Sequence, residues 1–289
     1  MTDYSGLRCP LCKGALTLKD NNYECAKCSK SYPAQDGIPV MLPDLNSADD
    51  EQDVADEKEF YEKMFSNLRG LEDGHCITYG HEKIYNFVDQ VERGSVLEVG
   101  CGGGHHTVKL SQMGFSVTSI DLSMNGLRAS RKLAEHNKLD IPFVCGDVKH
   151  LPFEDNQFDI CFASLILHHF TSLDNIIKEL SRVTKKYFVT FEVNAWDVFS
   201  FTRFNLLNPI FGIENITKNQ RAIFPGALCQ KLRENGFDGV EIRYEDMHDN
   251  LGKTPKSLKS KLIRTYQTAM GILPEKFSSN KFLLRARRR

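Results

Sequence analysis

The sequence predicts an α/β protein: a Rossmann-like sheet of mainly parallel strands, with a small metal-stapled ribbon ahead of it. Three features lead there. An apolar stretch, Ser95–Val99, runs straight into a loop with glycines at 100, 102, 103 and 104, the strand–turn–helix pattern in which backbone N–H groups face a ligand. Downstream, short apolar runs alternate with longer amphipathic ones, as parallel strands joined by crossover helices do. Upstream, four of the nine cysteines form two CxxC pairs, Cys9 with Cys12 and Cys25 with Cys28, with twelve residues between the pairs.

Residues 1–45 hold those pairs. Two knuckles on a β-ribbon bring four thiolates onto one tetrahedral ion, and zinc is the ion expected; a redox CxxC has no use for a second copy at this spacing, and iron–sulfur sites use less symmetrical ones. So short a module has too little core to fold alone, and the metal replaces a core. Five basic residues and five acids leave the ribbon without a net charge to gather phosphates. The remaining cysteines, Cys76, Cys101, Cys145, Cys161 and Cys229, stand singly, as free buried thiols do, and suggest no disulfide framework.

Residues 46–78 read as an acidic linker and a helix leading into the main domain. The stretch 44–62 holds nine acids against the single Lys58, and its first half has no apolar period, so the helix is expected over 54–68. From 79 onward the pattern gives a helix over 79–91. Strands follow near 95–99, 116–120, 141–145, 158–163, 187–193 and 238–245, with helices near 104–113, 123–137, 172–183 and 225–236 and a last strand near 281–286.

The glycine loop is a nucleotide-type site, but not a nicotinamide one. The third glycine of GxGxxG is replaced by His105, and Glu98 at the strand end puts negative charge where a pyrophosphate needs the opposite. An acid suits a cationic cofactor. Asp121, seventeen residues past the last glycine, ends the second strand at the distance of a carboxylate that holds ribose hydroxyls.

With these residues in order, the chain from about Tyr61 onward resembles the class I S-adenosylmethionine-dependent methyltransferases. The resemblance implies that Glu98, Gly100, Gly102 and Gly104 meet the methionine part of the cofactor, that Asp121 with Leu122 takes the ribose, and that Asp147 and Val148 take the adenine. The phrase LPFEDNQFDICFASLILHHF resembles the fourth-strand region of the small-molecule branch, which sets Ser164 at the cofactor and His168 and His169 nearest the transferred methyl. The same branch implies that the last strand inserts antiparallel. The cysteine segment is similar to the zinc-ribbon proteins that activate tRNA, rRNA and protein methyltransferases, here fused in cis. A bacterial rRNA guanine methyltransferase also has an N-terminal zinc site, but its pattern includes histidine where this chain has four cysteines.

The expected function is therefore methyl transfer from S-adenosylmethionine to a small-molecule or a lipid- or sugar-linked biosynthetic intermediate. The alternative is an RNA methyltransferase whose ribbon orients the RNA. Ser164-Leu165-Ile166-Leu167 stands where amino-methylating enzymes of nucleic acid bases have a [DNS]PPY sequence, and Cys161 lacks the proline of a cytosine-C5 nucleophile. His168 and His169 are candidate bases, and Glu192 and Asn194 candidate acceptor contacts. Tyr61 and Phe65 are read first as packing of their helix, with closure over the cofactor as the alternative. The aromatic excursion 194–222, with Trp196, Phe199, Phe201, Phe204 and Phe211, is the expected lid and acceptor pocket, with a plain sheet cover as the other reading. Eleven Lys or Arg against the single Glu275 over 251–289 form a basic end. It either attracts a phosphate-bearing acceptor, RNA or an anionic membrane surface, or is a solvated face. The start lacks the layout of a signal peptide, and the longest uncharged apolar run, 160–167, is far short of the ~20 residues that span a bilayer, so cytoplasm is the expected location.

Overall fold

The glycine-loop strand sits in the middle of an eleven-stranded sheet. The structure, a computed structural model, describes residues 4–43, 48–66, 82–207, 210, 217, 219–245, 276, 279 and 281–289. Its strands are β1 (Leu16–Lys19), β2 (Asn22–Cys25), β3 (Ser31–Gln35), β4 (Ile38–Met41), β5 (Ser95–Val99), β6 (Ser116–Asp121), β7 (Phe143–Gly146), β8 (Phe158–Ser164), β9 (Thr184–Val193), β10 (Phe237–Glu245) and β11 (Lys281–Arg288). They lie in the order β1-β2-β3-β4-β7-β6-β5-β8-β9-β11-β10. From β4 to β9 the pairing is parallel, and β11 inserts antiparallel between β9 and β10, as the family resemblance implied.

The helices are α1 (Ala48–Ser66), α2 (Glu82–Val88), α3 (His105–Gln112), α4 (Met124–His136), α5 (Asp174–Val183), the short α6 (Val198–Phe201) and α7 (Pro225–Glu234). The parallel strands are apolar on both faces because helices cover both. On one side α2, α3 and α4 pack Phe87, Leu110 and Leu127 against Phe162 and Phe143. On the other, α5 and α7 pack Ile177, Leu180 and Leu228 against Leu97, Cys161 and Phe188. Helix α1 begins at Ala48, earlier than the predicted 54. Residues 79–81 of the helix expected over 79–91 lie outside the described residues.

The ribbon is part of this sheet. Val40 and Met41 of β4 pair with Cys145 and Gly146 of β7. The Arg8 N–H donates to Pro152 O at 2.9 Å, and Lys13 Nζ reaches Leu151 O at 3.1 Å and a Glu179 carboxylate oxygen at 2.9 Å. Leu7, Cys9, Tyr23, Cys25, Tyr32 and Met41 share one apolar cluster with Leu97, Ile120 and Phe153. Cys9 and Cys25 therefore stand on the same continuous core as the strands of the parallel sheet.

The basic end divides. Residues 251–275, which hold its first five Lys or Arg, lie outside the described residues. The last arginines belong to the sheet edge: Arg285 pairs with Glu241, Arg288 Nη1 donates to Thr184 O at 2.7 Å and Arg289 Nε reaches Asp238 at 2.7 Å. No helix among the described residues is long and apolar enough to cross a membrane.

Candidate active site

The C-terminal ends of β5, β6, β7 and β8 open onto a cavity of about 240 Å³, the edge where doubly wound sheets bind ligands. Gly100, Gly102, Asp121, Leu122, Asp147 and Val148 line it, all among the residues expected to hold the cofactor. Gly100 has φ +69°, where a side chain is strained, and a Cβ there would also have to displace the end of the Ile166 side chain, 2.2 Å away. The Asp121 carboxylate accepts from Gly102 N–H and Ser123 N–H, both at 2.8 Å, which fixes it between the loop and the start of α4. Burial raises its pKa against those two bonds. Asp147 accepts from Lys149 N–H at 2.9 Å and caps the short turn that carries Val148.

Three expected cofactor residues stand elsewhere. Glu98 is buried beneath the loop, where Thr107 Oγ1 and Ser119 Oγ donate to it, the latter at 3.1 Å. Burial pushes its carboxyl up to about 8, over the opposing effect of those hydroxyls. Gly104 is the N-cap of α3 with φ 82°, and a Cβ there would meet the Ser130 backbone at 2.8 Å, so it serves helix packing. Ser164 ends β8 with its Oγ buried and without a hydrogen-bond partner. A glycine cradle, the fixed carboxylate of Asp121 and Asp147 on one lining are the polar provision that a nucleoside-type cofactor fits.

The two histidines divide. His169 lines the cavity; His168 does not. His168 Nδ1 lies 2.8 Å from Glu192 Oε2 in the buried layer behind, and burial, together with the charge of His169, lowers its pKa to about 4. It is held neutral near pH 7. Glu192 is fully buried, and its other oxygen accepts from Ile166 N–H and Leu167 N–H at 2.9 and 2.6 Å. Neither Glu192 nor Asn194, expected to touch the acceptor, reaches the cavity. Asn194 is fully buried and donates to Lys276 O and Ser279 O, tying β9 to the approach of β11.

His169 is set by α1, an element the sequence assigned chiefly to packing. Its Nδ1 lies 3.3 Å from Glu57 Oε2, and its Nε2 lies 3.2 Å from the Tyr61 hydroxyl. Glu57 can only accept and favours a proton on Nδ1, Gln220 Nε2 stands 3.2 Å from the same Nδ1, and Nε2 faces Tyr61. Thr217 donates to the other oxygen of Glu57. Burial, then the charges of Glu57 and Asp121, raise the Tyr61 pKa and keep its phenol protonated. Phe65, one turn on, faces Gly102 and Gly126 across the loop, and Glu62 accepts from Met124 N–H and Asn125 N–H at 2.7 and 3.0 Å. Helix α1 thus roofs the cavity with Glu57, Tyr61 and Phe65. Glu57 was missed because in sequence it is one acid among nine; its one available signal is the spacing Glu57, Tyr61, Phe65, which repeats every four residues down one face.

Of the excursion 194–222, Asn219 is the residue that lines the cavity among those described. Trp196 and Phe201 stack edge to face and tilted on Phe224, and Phe204 stands edge-on to His168 at 6.2 Å, so these aromatics back the histidine layer. The side chain of Phe199, residues 208–209 and Phe211 lie outside the described residues. His105 and His106 stand away from the cavity; His106 Nδ1 meets the Tyr85 hydroxyl at 2.9 Å.

The four ribbon cysteines converge. Their sulfurs lie within 4.8 Å of one another, with Cys9 to Cys28 at 3.6 Å and Cys12 to Cys25 at 3.5 Å. A tetrahedral ion with bonds of about 2.3 Å sets its thiolates about 3.8 Å apart, so the donor set fits one ion. The Tyr32 hydroxyl, 3.3 Å from Cys9 Sγ, supplies an outer hydrogen bond. Cys101, Cys145, Cys161 and Cys229 are free and buried.

Residues 97–188 match the methyltransferase domain family. The chain is similar to the malonyl-[acyl-carrier protein] O-methyltransferase of Pectobacterium atrosepticum, 34% identical over 90 residues, covering 31% of this chain and 34% of that protein. It is also similar to the ubiquinone biosynthesis O-methyltransferase of Coxiella burnetii, 32% identical over 90 residues, covering 31% of this chain and 38% of that protein. The chain thus spans about a third of the length of these curated relatives. Among solved structures, magnesium protoporphyrin IX methyltransferase from Synechocystis with bound SAH superposes with a TM-score of 0.55 at 14% identity, covering 82% of this chain and 100% of that one. The fold is that of the Rossmann-like S-adenosylmethionine-dependent methyltransferases.

Proposed function

We propose that this protein transfers a methyl group from S-adenosylmethionine to a small-molecule or carrier-linked biosynthetic intermediate, with His169 as the proton acceptor and one structural zinc in the ribbon. The observation that carries this reading is the cavity itself: a glycine loop, the fixed carboxylate of Asp121, Asp147 with Val148, and His169 share one lining. The match over 97–188 and the names of the relatives, O-methyltransferases of small biosynthetic intermediates, support it.

When bound, the cofactor supplies a sulfonium methyl, which passes to the acceptor's lone pair as the carbon–sulfur bond breaks and a neutral thioether leaves. The chain's part is to hold, orient and take a proton. Asp121 would accept from the ribose hydroxyls, and Gly100 and Gly102 let the backbone approach closely. Positioning supplies most of the rate in such a displacement. An acceptor hydroxyl facing His169 would lose its proton to Nε2, with the imidazolium stabilised by Glu57 across Nδ1 at 3.3 Å. His168, Glu192 and the backbone of 166–167 hold the turn that presents His169. Cys9, Cys12, Cys25 and Cys28 would hold zinc as a closed four-thiolate site with no open position for chemistry.

The test is to incubate the protein with methyl-deuterated S-adenosylmethionine and a metabolite extract, and to search by mass spectrometry for a labelled product. A product that forms with the wild type and fails with Asp121→Ala supports the reading. Absence of any labelled species across small-molecule, lipid and carrier-bound fractions overturns it.

A further inference from the structure

Five of the eight large apolar side chains that stay exposed among the described residues stand on the excursion after β9 or against it. Ile210 is 69% exposed, and Trp196, Leu206, Leu207 and Phe224 are 36–47% exposed. Ring contacts and hydrogen bonds join the segments that carry them. Trp196 and Phe201 both pack on Phe224, at 5.3 and 5.8 Å between ring centres. Asn205 clasps the backbone of Ala222, accepting from its N–H at 2.9 Å and donating to its carbonyl at 3.3 Å. Leu206 and Leu207 follow Asn205 directly, in the π-helical turn Thr202–Leu207 after α6. Phe201 and Phe204 fill the underside, packed on Val193, Ala195 and Ala222, which leaves the five outside the core. None of the five lines the cavity.

The charges on the same segments leave one sign at the surface. Arg203 and Arg221 are half-buried, and Lys276, whose carbonyl accepts from Asn194 Nδ2 at 2.8 Å, is exposed. Asp197, the one acid among the described residues of these segments, is fully buried and accepts from Ser200 N–H at 2.8 Å. An exposed apolar patch edged by cations, with no exposed acid, is complementary to an anionic bilayer surface. Its apolar side chains enter the acyl boundary and its cations stay among the head groups. Tryptophan suits that boundary, with an apolar ring and one polar N–H. A second copy of the chain fits less well, because a two-fold interface would set the same cations against each other.

We infer that Trp196, Leu206, Leu207, Ile210 and Phe224 form a surface that docks on an anionic lipid bilayer. The surface adjoins the histidine side of the cavity. Phe204 stands edge-on to His168 at 6.2 Å, Arg221 N–H donates to His168 O at 2.6 Å, and Asn219, two residues before Arg221, lines the cavity. A bilayer seated there holds a lipid-borne methyl acceptor beside His169. That consequence rests on the methyltransferase reading; the docking surface is testable by itself.

Trp196 is the chain's one tryptophan, so its emission reports on the patch directly. The protein is titrated with vesicles of phosphatidylcholine alone and of phosphatidylcholine mixed equally with phosphatidylglycerol, at low and high salt, and again with lipids brominated on the acyl chains. At low salt the wild type should bind the anionic vesicles at least tenfold more tightly than the neutral ones, with a blue-shifted emission that brominated lipid quenches. Leu206→Ser combined with Ile210→Ser should weaken that binding by tenfold or more, and Arg221→Gln combined with Lys276→Gln should remove most of the preference for anionic lipid. A cooperative thermal transition reports that each variant is folded; if the serine pair does not fold, Ile210→Ser alone, at the most exposed of the five positions, should weaken binding by threefold or more. No binding to anionic vesicles, equal binding by wild type and variants, or an emission neither shifted nor quenched overturns the surface. So does an emission shift that follows protein concentration without lipid, together with a dimer in sedimentation, which assigns the face to a second copy. If the wild type docks through the patch yet does not bind S-adenosylhomocysteine, the surface stands and the methyltransferase reading falls.

Discussion

Replacing Glu98 by glutamine separates two roles for the acid at the end of β5. The sequence casts it as a counter-charge for a cationic cofactor, whereas the structure buries it under the loop with its carboxyl raised to about 8. An unfolded glutamate titrates near ~4.3. Between those limits the folded state keeps a proton that the unfolded state releases, so Glu98 makes stability fall as pH rises. Its contribution is complete below ~4.3 and is lost progressively as pH climbs through about 8. The slope approaches about 1.4 kcal/mol per pH unit inside the window. Glutamine is close in shape and can still accept from Thr107 and Ser119, but it cannot titrate. In urea unfolding from about pH 5 to about pH 7.5, the wild type should lose about 3 kcal/mol relative to Glu98→Gln. Every other titrating group is common to both proteins and cancels. The variant should also bind S-adenosylhomocysteine within about twofold of wild type, because Glu98 does not line the cavity. Parallel stability curves across that range would refute the burial argument, and a large loss of cofactor affinity would restore the counter-charge role.

Other expectations follow from named contacts. His169→Gln should lower kcat by about a hundredfold or more while leaving cofactor affinity nearly unchanged, and Glu57→Gln should lower kcat by about tenfold, both read in steady-state and binding assays once a product is in hand. Gly100→Ala should weaken cofactor binding, because a side chain is strained at φ +69° and its Cβ would displace the end of Ile166, 2.2 Å away; calorimetry with S-adenosylhomocysteine checks it. Metal analysis should find about one zinc per chain, falling toward zero in Cys25→Ser. The thermal midpoint of that variant should fall for the whole protein in one transition, because the ribbon shares its core with β5, β6 and Phe153.

What the sequence made legible was local. The glycine loop, Asp121, Asp147 with Val148, and the two CxxC pairs are each a few adjacent residues whose chemistry is bound to their spacing. The parallel sheet was legible because apolar runs of strand length alternate with amphipathic helices. What escaped depends on contacts between distant segments. Glu57 meets His169 only after α1 folds back over the loop, more than a hundred residues on. Two adjacent histidines took different positions, one facing the cavity and the other Glu192, a difference that depends on which way a short turn points. The ribbon read as a module on a linker because nothing in IPVM announces that β4 will pair with β7, the strand that leads into Asp147. Glu192 and Asn194 looked exposed at a strand end; both are sealed by the return of β11 from far downstream.

The central claim is that this cavity binds S-adenosylmethionine through Asp121. Isothermal titration of S-adenosylhomocysteine into wild type and Asp121→Ala measures it directly. One site per chain is expected in the wild type and a tenfold to hundredfold weaker affinity in the variant, the loss of a charge-assisted hydrogen bond worth about 1.5 to 3 kcal/mol. Binding that is absent from the wild type, or unchanged in Asp121→Ala, would contradict it.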